Sequence, residues 1–377
     1  MSSPDLTAAE EMAVVATLKS GFLSIGSQLS AFEEATARYV GAPFAVAVNS
    51  GTSALHLAVI AAGLSDGDVA ITTPFSFVAS ANCLLYERAA PVFVDVDPLT
   101  GNIDPSKVEE KADEICSGSD RERLKALIPV HTFGQPADMD PLREVASKYG
   151  LRIIEDACEA IGAEYRGRPA GTLGDAAAFA FYPNKQITTG EGGILVTANP
   201  EWRDLFRSLR NQGRDRFDAW LNHSRLGYNY RLDEMSAALG VVQISRLDEL
   251  LAKRTQVAQW YTLRLDGIND LIETPEIVPS TTKMSWFVYV VRLAKSIDRF
   301  RLMKDLEDRG IPNRPYFSPI HLQPFYRDRF GFKPGDFPVA EDLGQRSLAL
   351  PFSSVMTEDQ VNYVCEQTIE LLKSIPC

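Results

Sequence analysis

The sequence predicts an α/β protein whose mostly parallel sheet is covered by helices on both faces, and three observations carry that expectation. Short β-type runs alternate with helical stretches from Ala45 to Glu155, and polar or turn-forming residues follow almost every run. The composition, 45% hydrophobic and 23% charged, is that of an ordinary globular chain, and at 377 residues two domains are expected rather than one small core.

Residues 7 to 19 and Ser30 to Val40 carry apolar positions at helical spacing, with Phe32, Ala35 and Tyr39 on one side of the second. GFLSIGSQL between them reads equally as a loop laid over something else and as a plain connector. Ala45 to Val48 is a β-type run, Asn49 to Ser53 a tight turn, and Ala54 to Ala62 a helix with an apolar stripe. Then come Val69 to Thr72 (strand), Phe75 to Tyr86 (helix), Pro91 to Val96 (strand), Pro105 to Lys111 (helix), Lys125 to Val130 (strand), Met139 to Tyr149 (helix) and Arg152 to Glu155 (strand). Asp233 to Leu265 has one long helical periodicity, expected to run from a large domain into a small one. Beyond it a smaller α+β unit is predicted: a strand from Trp286 to Leu293, a helix from Ile297 to Arg309 ended by Gly310 and Pro312, and a last helix opened by a Thr357–Gln360 capping box.

A formal charge of −12 without clustered Lys and Arg speaks against a nucleic-acid partner. Cys83, Cys116, Cys158, Cys365 and Cys377 are scattered and free of any CxxC pair, so neither a disulfide framework nor a zinc site is indicated, and no metal is expected. The N-terminal stretch has no apolar core of signal-peptide length, and the longest apolar runs fall short of the ~20 residues that span a bilayer. A cytoplasmic protein without a membrane partner is expected.

Ligands of parallel sheets bind at the carboxyl ends of strands, so the residues just after each strand are the candidates. They are Asn49 to Ser53, Pro74 to Phe77, Asp95, His131, Asp156 to Glu159 and Lys185. In FAFYPNKQITTGEGG (Phe179 to Gly193) an apolar run precedes Lys185 and a glycine cluster follows it. A lysine held partly desolvated at a strand mouth loses its charge more easily and suits a Schiff base, whereas most lysines are solvated surface charges. Gly51, Thr52 and Ser53 at a helix start form a phosphate cradle or an ordinary cap. No GxGxxG follows the early strand and no GxxxxGK[ST] occurs, which disfavours nicotinamide and ATP. A phosphate-bearing cofactor that uses a lysine and an acidic strand-end residue remains, and pyridoxal phosphate fits.

NSGTSALHLA, PFSFVASAN, PVFVDVDP, IPVHTFGQPADMDP, IIEDACEAIGAEY, GTLGD, FYPNKQITTGEGG and GYNYRLDEMSAAL together resemble the DegT/StrS family of nucleotide-sugar aminotransferases, and HLQPFY and ALPF resemble its carboxyl-terminal pattern. The resemblance implies fold type I: a large domain, residues 1–255, with a mostly parallel seven-stranded sheet between helices, and a smaller C-terminal α+β domain, residues 256–377. It implies pyridoxal 5′-phosphate as cofactor, with pyridoxamine 5′-phosphate as an intermediate, a nucleotide-linked keto sugar as substrate and L-glutamate as amino donor. Lys185 would form the internal aldimine and shuttle the proton. Asp156 would face the pyridine nitrogen, or else cap a helix. Gly51, Thr52 and Ser53 would hold the phosphate, and Phe77 would stack on the ring or belong to the core. Asn229 would reach the partner subunit's phosphate in a homodimer, or belong to a polar loop.

Two departures stand out. Ala180 replaces a serine hydroxyl that many members direct at the phosphate, and Glu159 replaces an amide near the ring hydroxyl. The glutamate, with NK before TTGEGG, resembles the GDP-perosamine synthase branch, which aminates C4 of a 4-keto-6-deoxy sugar. Alternatives are a cyclitol or 3-keto-sugar aminotransferase of antibiotic pathways, a dehydratase of the same fold, against which Lys185 counts, and a regulator that binds the cofactor without turnover. Arg314, Tyr316 and His321 lie on a loop that approaches the sugar or nucleotide in the family, or form a Pro-rich connector. His131 reads as a structural or substrate-contact residue rather than a base. The positive run Arg207 to Arg216 with Arg225 fits a nucleotide diphosphate or plain solvated helix faces.

Overall fold

Seven strands form the main sheet of the computed structural model, which describes residues 1–118, 121–215 and 222–374. In chain order the strands are β1 Phe44–Val48, β2 Val69–Thr72, β3 Ala90–Phe93, β4 Leu124–Ile128, β5 Arg152–Asp156, β6 Glu164–Tyr165, β7 Arg168–Pro169, β8 Ala176–Ala180, β9 Gly193–Thr197, β10 Ile272–Glu273, β11 Thr281–Lys283, β12 Tyr289–Leu293, β13 Arg314–Pro315 and β14 Ser347–Leu350. The main sheet has the order β1-β9-β8-β5-β4-β2-β3. Only β9 runs against its neighbours; β8, β5, β4, β2 and β3 pair in parallel. The predicted mostly parallel seven-stranded sheet is therefore present, and its strands are buried almost throughout because helices cover both faces.

The twofold side-chain alternation of a strand sorts the sheet residues into two cores. Ala45, Ala47, Ala177, Phe179, Ile194 and Val196 face Phe32 and Ala237, from the helices Ser27–Val40 and Glu234–Ser245. Val46, Val48, Ala176, Ala178 and Leu195 face Leu55, Leu84 and Phe206, from the helices Gly51–Ala61, Ala79–Tyr86 and Pro200–Arg210. Each large apolar side chain so buried is worth about 1.5–3 kcal/mol. A second sheet, ordered β10-β12-β14-β13, is entirely antiparallel and packs on the helices Leu247–Leu265, Arg299–Asp308 and Glu358–Ser374.

Some elements differ from expectation. The helix predicted from Asp233 to Leu265 is two helices, Glu234–Ser245 and Leu247–Leu265, broken at Arg246 (φ −100°, ψ 0°). The Arg246 guanidinium holds that corner, donating to Asp5 Oδ1 and Glu10 Oε1 at 2.7 Å each. The helix expected from Phe75 starts at Ala79, and the strand expected from Trp286 starts at Tyr289, because Trp286 sits at φ 47°, outside extended backbone. The capping box of the last helix is present: Gln360 N donates to Thr357 Oγ1 at 3.3 Å and Thr357 N to Gln360 Oε1 at 3.0 Å. Helix Ser27–Val40 has no cap of its own; the carboxylate of Glu234 accepts from Gly26, Gln28 and Leu29 N–H at 2.8, 2.8 and 3.1 Å. Among the described residues no helix is long and apolar enough to cross a membrane. Cys377 lies outside the described residues.

At the end of β5, Glu155 is wholly buried. Its carboxylate accepts from Gly171 N (2.8 Å), Leu173 N (2.7 Å), Gly174 N (2.7 Å) and His131 Nε2 (2.9 Å). An amide offers one acceptor oxygen and turns N–H toward N–H, so Glu155→Gln is expected to lower unfolding free energy by about 3 kcal/mol. Equilibrium urea denaturation checks this, and an unchanged midpoint would contradict the anchoring role.

Candidate functional site

The carboxyl ends of β1, β2, β5 and β8 converge on one cavity of about 440 Å³. Gly51, Thr52, Phe77, Asp156, Glu159, Lys185 and Tyr316 line it, together with Asn184, Cys158, Ala180 and Phe287.

At the β1 end, Ser50 caps helix Gly51–Ala61 by accepting from Ser53 N at 3.0 Å. The first N–H groups of a helix have no intrahelical acceptor, so Gly51 and Thr52 offer donors to an anion here. Side-chain room is absent at position 51, where a Cβ would come 2.6 Å from Ala180 Cβ and 3.0 Å from Cys158 Sγ. Gly193 likewise lets β9 approach this turn, since its Cβ would meet Ser50 O at 2.3 Å. Ser53 does not line the cavity: its hydroxyl donates to Asn49 Oδ1 at 2.7 Å, inside the cap.

Asp156 ends β5 on the cavity side. Its Oδ2 accepts from Ser80 Oγ at 2.6 Å and its Oδ1 from Cys158 N at 3.2 Å, which fixes the carboxylate plane. Lys185 lies in the turn after β8, with Nζ 3.8 Å from the centroid of the Phe287 ring and 3.6 Å from Glu159 Oε1. Burial drives the Glu159 carboxyl above the usual carboxylate range, opposed by Lys185 and by the hydrogen bond from Phe133 N at 2.9 Å. The Tyr316 hydroxyl is pushed up to about 12 by burial and by Glu159. Phe77 is 62% exposed, so it is a free aromatic face at the cavity rim and not core.

Asn229 is exposed and outside the cavity of its own chain. Its neighbours Tyr228 and Tyr230 stack on each other at 5.0 Å and are tied inward. Tyr228 OH donates to Glu87 Oε1 (3.2 Å), His56 Nε2 lies 2.7 Å from the same oxygen, and His56 Nδ1 lies 3.2 Å from Tyr230 OH.

Other candidates are placed elsewhere. His321 is fully buried away from the cavity, with Nε2 3.0 Å from Glu341 Oε1 and its ring against Phe337. Arg314 is exposed, 3.5 Å from Glu307, and does not line the cavity. His131 is a structural residue: Nδ1 accepts from Ala137 N at 3.1 Å, so Nε2 carries the proton that Glu155 accepts. Arg210 pairs with Glu33, Arg207 lies 3.4 Å from the same carboxylate, and Arg225 donates to Asp215 at 2.6 Å, so these charges are engaged within the chain. Arg216 lies outside the described residues. Asp95 caps helix Pro338–Arg346 by accepting from Val339 and Ala340 N–H at 2.9 and 2.8 Å. Among the described residues no cluster of three His, Cys, Asp or Glu could hold a metal.

Sequence reasoning missed Ser80, Phe287, Phe317 and Asn184, the last with a buried Oδ1 that no hydrogen bond satisfies. Ser80 stood inside PFSFVASAN five residues after the start of an expected helix, so its spacing alone was a usable signal. Phe287 comes from the second sheet's side of the chain and had none.

The DegT/DnrJ/EryC1/StrS aminotransferase family matches residues 4–368. GDP-perosamine synthase of Caulobacter vibrioides is 40% identical over 346 residues, covering 90% of this chain and 89% of that protein. The structure of S. venezuelae DesV in complex with ketimine intermediate is similar with a TM-score of 0.90 at 35% identity, covering 98% and 95% of the two chains. The PLP form of Spr1654 from Streptococcus pneumoniae is similar with a TM-score of 0.92 at 26% identity, covering 100% and 98%. With this match along nearly its whole length, the chain belongs to the DegT/DnrJ/EryC1/StrS aminotransferase family.

Proposed function

We propose that this chain is a pyridoxal phosphate-dependent aminotransferase that moves an amino group from an amino acid, L-glutamate by preference, to a nucleotide-linked keto sugar at C4 of a 4-keto-6-deoxy ring. The observation that carries the reading is the convergence of an amine, a fixed carboxylate and the first N–H groups of a helix N-terminus in one cavity. Membership of a sugar aminotransferase family and the 40% identity to a GDP-perosamine synthase support the class of substrate.

The donor set fits the cofactor. Gly51 and Thr52 present helix N-terminal N–H groups and a hydroxyl to a phosphate, in a cradle that a Cβ at 51 would fill. Asn184 Oδ1 is a buried acceptor still without a donor. When bound, pyridoxal phosphate supplies the electron-withdrawing ring that carries the amino group between the two substrates. Asp156, its plane set by Ser80 and Cys158 N, keeps a basic ring nitrogen protonated. Phe77 offers a stacking face. Lys185 Nζ takes and returns the proton at the reacting carbon, and the Phe287 ring and Glu159 on either side restrict where that nitrogen points. Ala180 leaves the phosphate end one hydroxyl short, and Thr52 with the helix N–H groups makes up the donor set.

The same proposal includes a homodimer with shared sites. An exposed Asn229 held rigidly by two anchored tyrosines suits a contact made outside its own chain. It also places the boundary between the two units near residue 255: the helix Leu247–Leu265 buries Leu247, Leu250 and Leu251 in the main core and Val257, Tyr261 and Leu265 in the second.

Incubating the purified protein with L-glutamate alone is expected to release 2-oxoglutarate in about one equivalent per site, and Lys185→Ala to lower that release at least about 10³-fold while remaining folded. Cofactor-bound protein that releases no keto acid would favour a binding regulator instead. Asn229→Ala is expected to lose about tenfold in activity, with a weaker grip on pyridoxal phosphate. Mixing it with Lys185→Ala should restore activity, because a mixed dimer holds one site with both native residues; a mixture no more active than its parts would place Asn229 within its own chain's site.

Glu159 titrates with the sign of a raised carboxyl. Its stabilising contribution is complete below its unfolded pKa and is lost as pH rises through the higher folded value. Cofactor-free Glu159→Gln is therefore expected to melt above wild type at pH 8, the gain vanishing as pH falls below the ordinary carboxylate range. A gain independent of pH would contradict the assignment.

A further inference from the structure

Arg254, on the helix Leu247–Leu265, is the largest of the fully buried side chains among the described residues, at 1% exposure. Among the described residues no carboxylate pairs with it, and burial alone pushes its pKa down to about 10. Removing a cation from water without a counter-charge costs several kcal/mol, so such a residue needs compensation from dipoles. Three carbonyls supply it. Nη2 donates to Lys185 O at 2.7 Å, and Nη1 donates to Trp286 O and Phe287 O at 3.1 Å each.

Those three carbonyls belong to the two segments that build the surroundings of one amine. Lys185 carries Nζ, and Phe287 carries the ring whose centroid lies 3.8 Å from it. Trp286 sits at φ 47°, where a non-glycine backbone costs about 1–2 kcal/mol, so the turn that presents Phe287 needs an external hold. Gln186 adds a parallel tie, donating to Ser285 Oγ at 2.7 Å and to Glu159 O at 2.6 Å. The Lys185 turn, the Glu159 loop and the 285–287 turn are thereby stitched together from behind the cavity, which Arg254 itself does not line.

We propose that Arg254 is a positioning residue for the Lys185 amine: its guanidinium ties together the carbonyls of Lys185, Trp286 and Phe287 and so fixes Nζ between the Phe287 face and Glu159. The inference rests on the reading of Lys185 as the proton-moving amine. A planar fork bridges three carbonyls where a shorter ammonium or amide cannot, so neither Lys nor Gln replaces it fully. Misplacement by about 1 Å costs on the order of 10²-fold in rate.

The test uses Arg254→Gln, which removes the charge and shortens the reach, and Arg254→Lys, which keeps the charge. Trace acylation of Lys185 in the cofactor-free protein, followed across pH by peptide mass spectrometry, reads the amine without turnover. For Arg254→Gln the midpoint of that profile is expected to move by about half a pH unit or more, and kcat to fall about 10–100-fold with KM for L-glutamate changed less than about threefold. Arg254→Lys should bring the midpoint back toward wild type and leave kcat low. A folded Arg254→Gln protein with an unmoved midpoint and kcat within about twofold of wild type overturns the proposal. If neither variant folds, Phe287→Leu, which removes the ring held by the clamp, takes the same measurement, and an unmoved midpoint there overturns it equally. Turnover by Lys185→Ala would instead remove the reading on which the inference rests, and that outcome is separate from any result at Arg254.

Discussion

Two adjacent carboxylates at the end of one strand divide the work of the molecule. Successive residues of an extended strand face opposite sides, so Glu155 and Asp156 cannot both reach the cavity. Asp156 faces it and is oriented by Ser80. Glu155 faces away, fully buried, and gathers three backbone donors of the 171–174 loop and the proton of His131. A buried carboxylate is tolerated only when its acceptor sites are filled, and here the filling is itself what shapes the chain around β5. The site thus rests on a charge that never meets a ligand.

The same economy recurs with other buried ions. Glu234 caps a helix that has no capping residue, Glu33 accepts from Ala47 N and from Arg210, and Arg254 spans three carbonyls. Each brings segments far apart in sequence to a common point and is costly to break on one side only. Arg254 does this directly behind the cavity, at the backbone of Lys185 and Phe287, which both line it.

Local pattern was readable in the sequence, and distant partnership was not. The alternation of strands and helices predicted the sheet, and with it the strand ends where Gly51, Phe77, Asp156 and Lys185 meet. Ser53 was readable both as a phosphate contact and as part of a helix cap, because the two use the same residue types, and its hydroxyl bonds to Asn49 within the cap. His321 looked polar and available on its loop, but Phe337 and Glu341, which enclose it, come later in the chain. The periodicity from Asp233 to Leu265 is continuous, so the break at Arg246 was invisible; it is made by Asp5 and Glu10 at the other end of the sequence. Arg254 sat in an ordinary helical run, and nothing nearby marked it as buried.

The cap that Glu234 provides has a bearing on how the chain is made. Among the described residues β1 pairs in the sheet with β9 alone, and the helices Ala8–Ser20 and Ser27–Val40 lie against Glu234–Ser245, so this stretch meets partners from much later in the chain. From Gln28 to Glu234 is 206 residues, which a ribosome adds in about 10–40 s. During that interval the amphipathic segment Ser27–Val40 lacks the carboxylate that fills the N–H donors of Gly26, Gln28 and Leu29. The cap of this early helix is thus completed only after the chain has been made through Glu234.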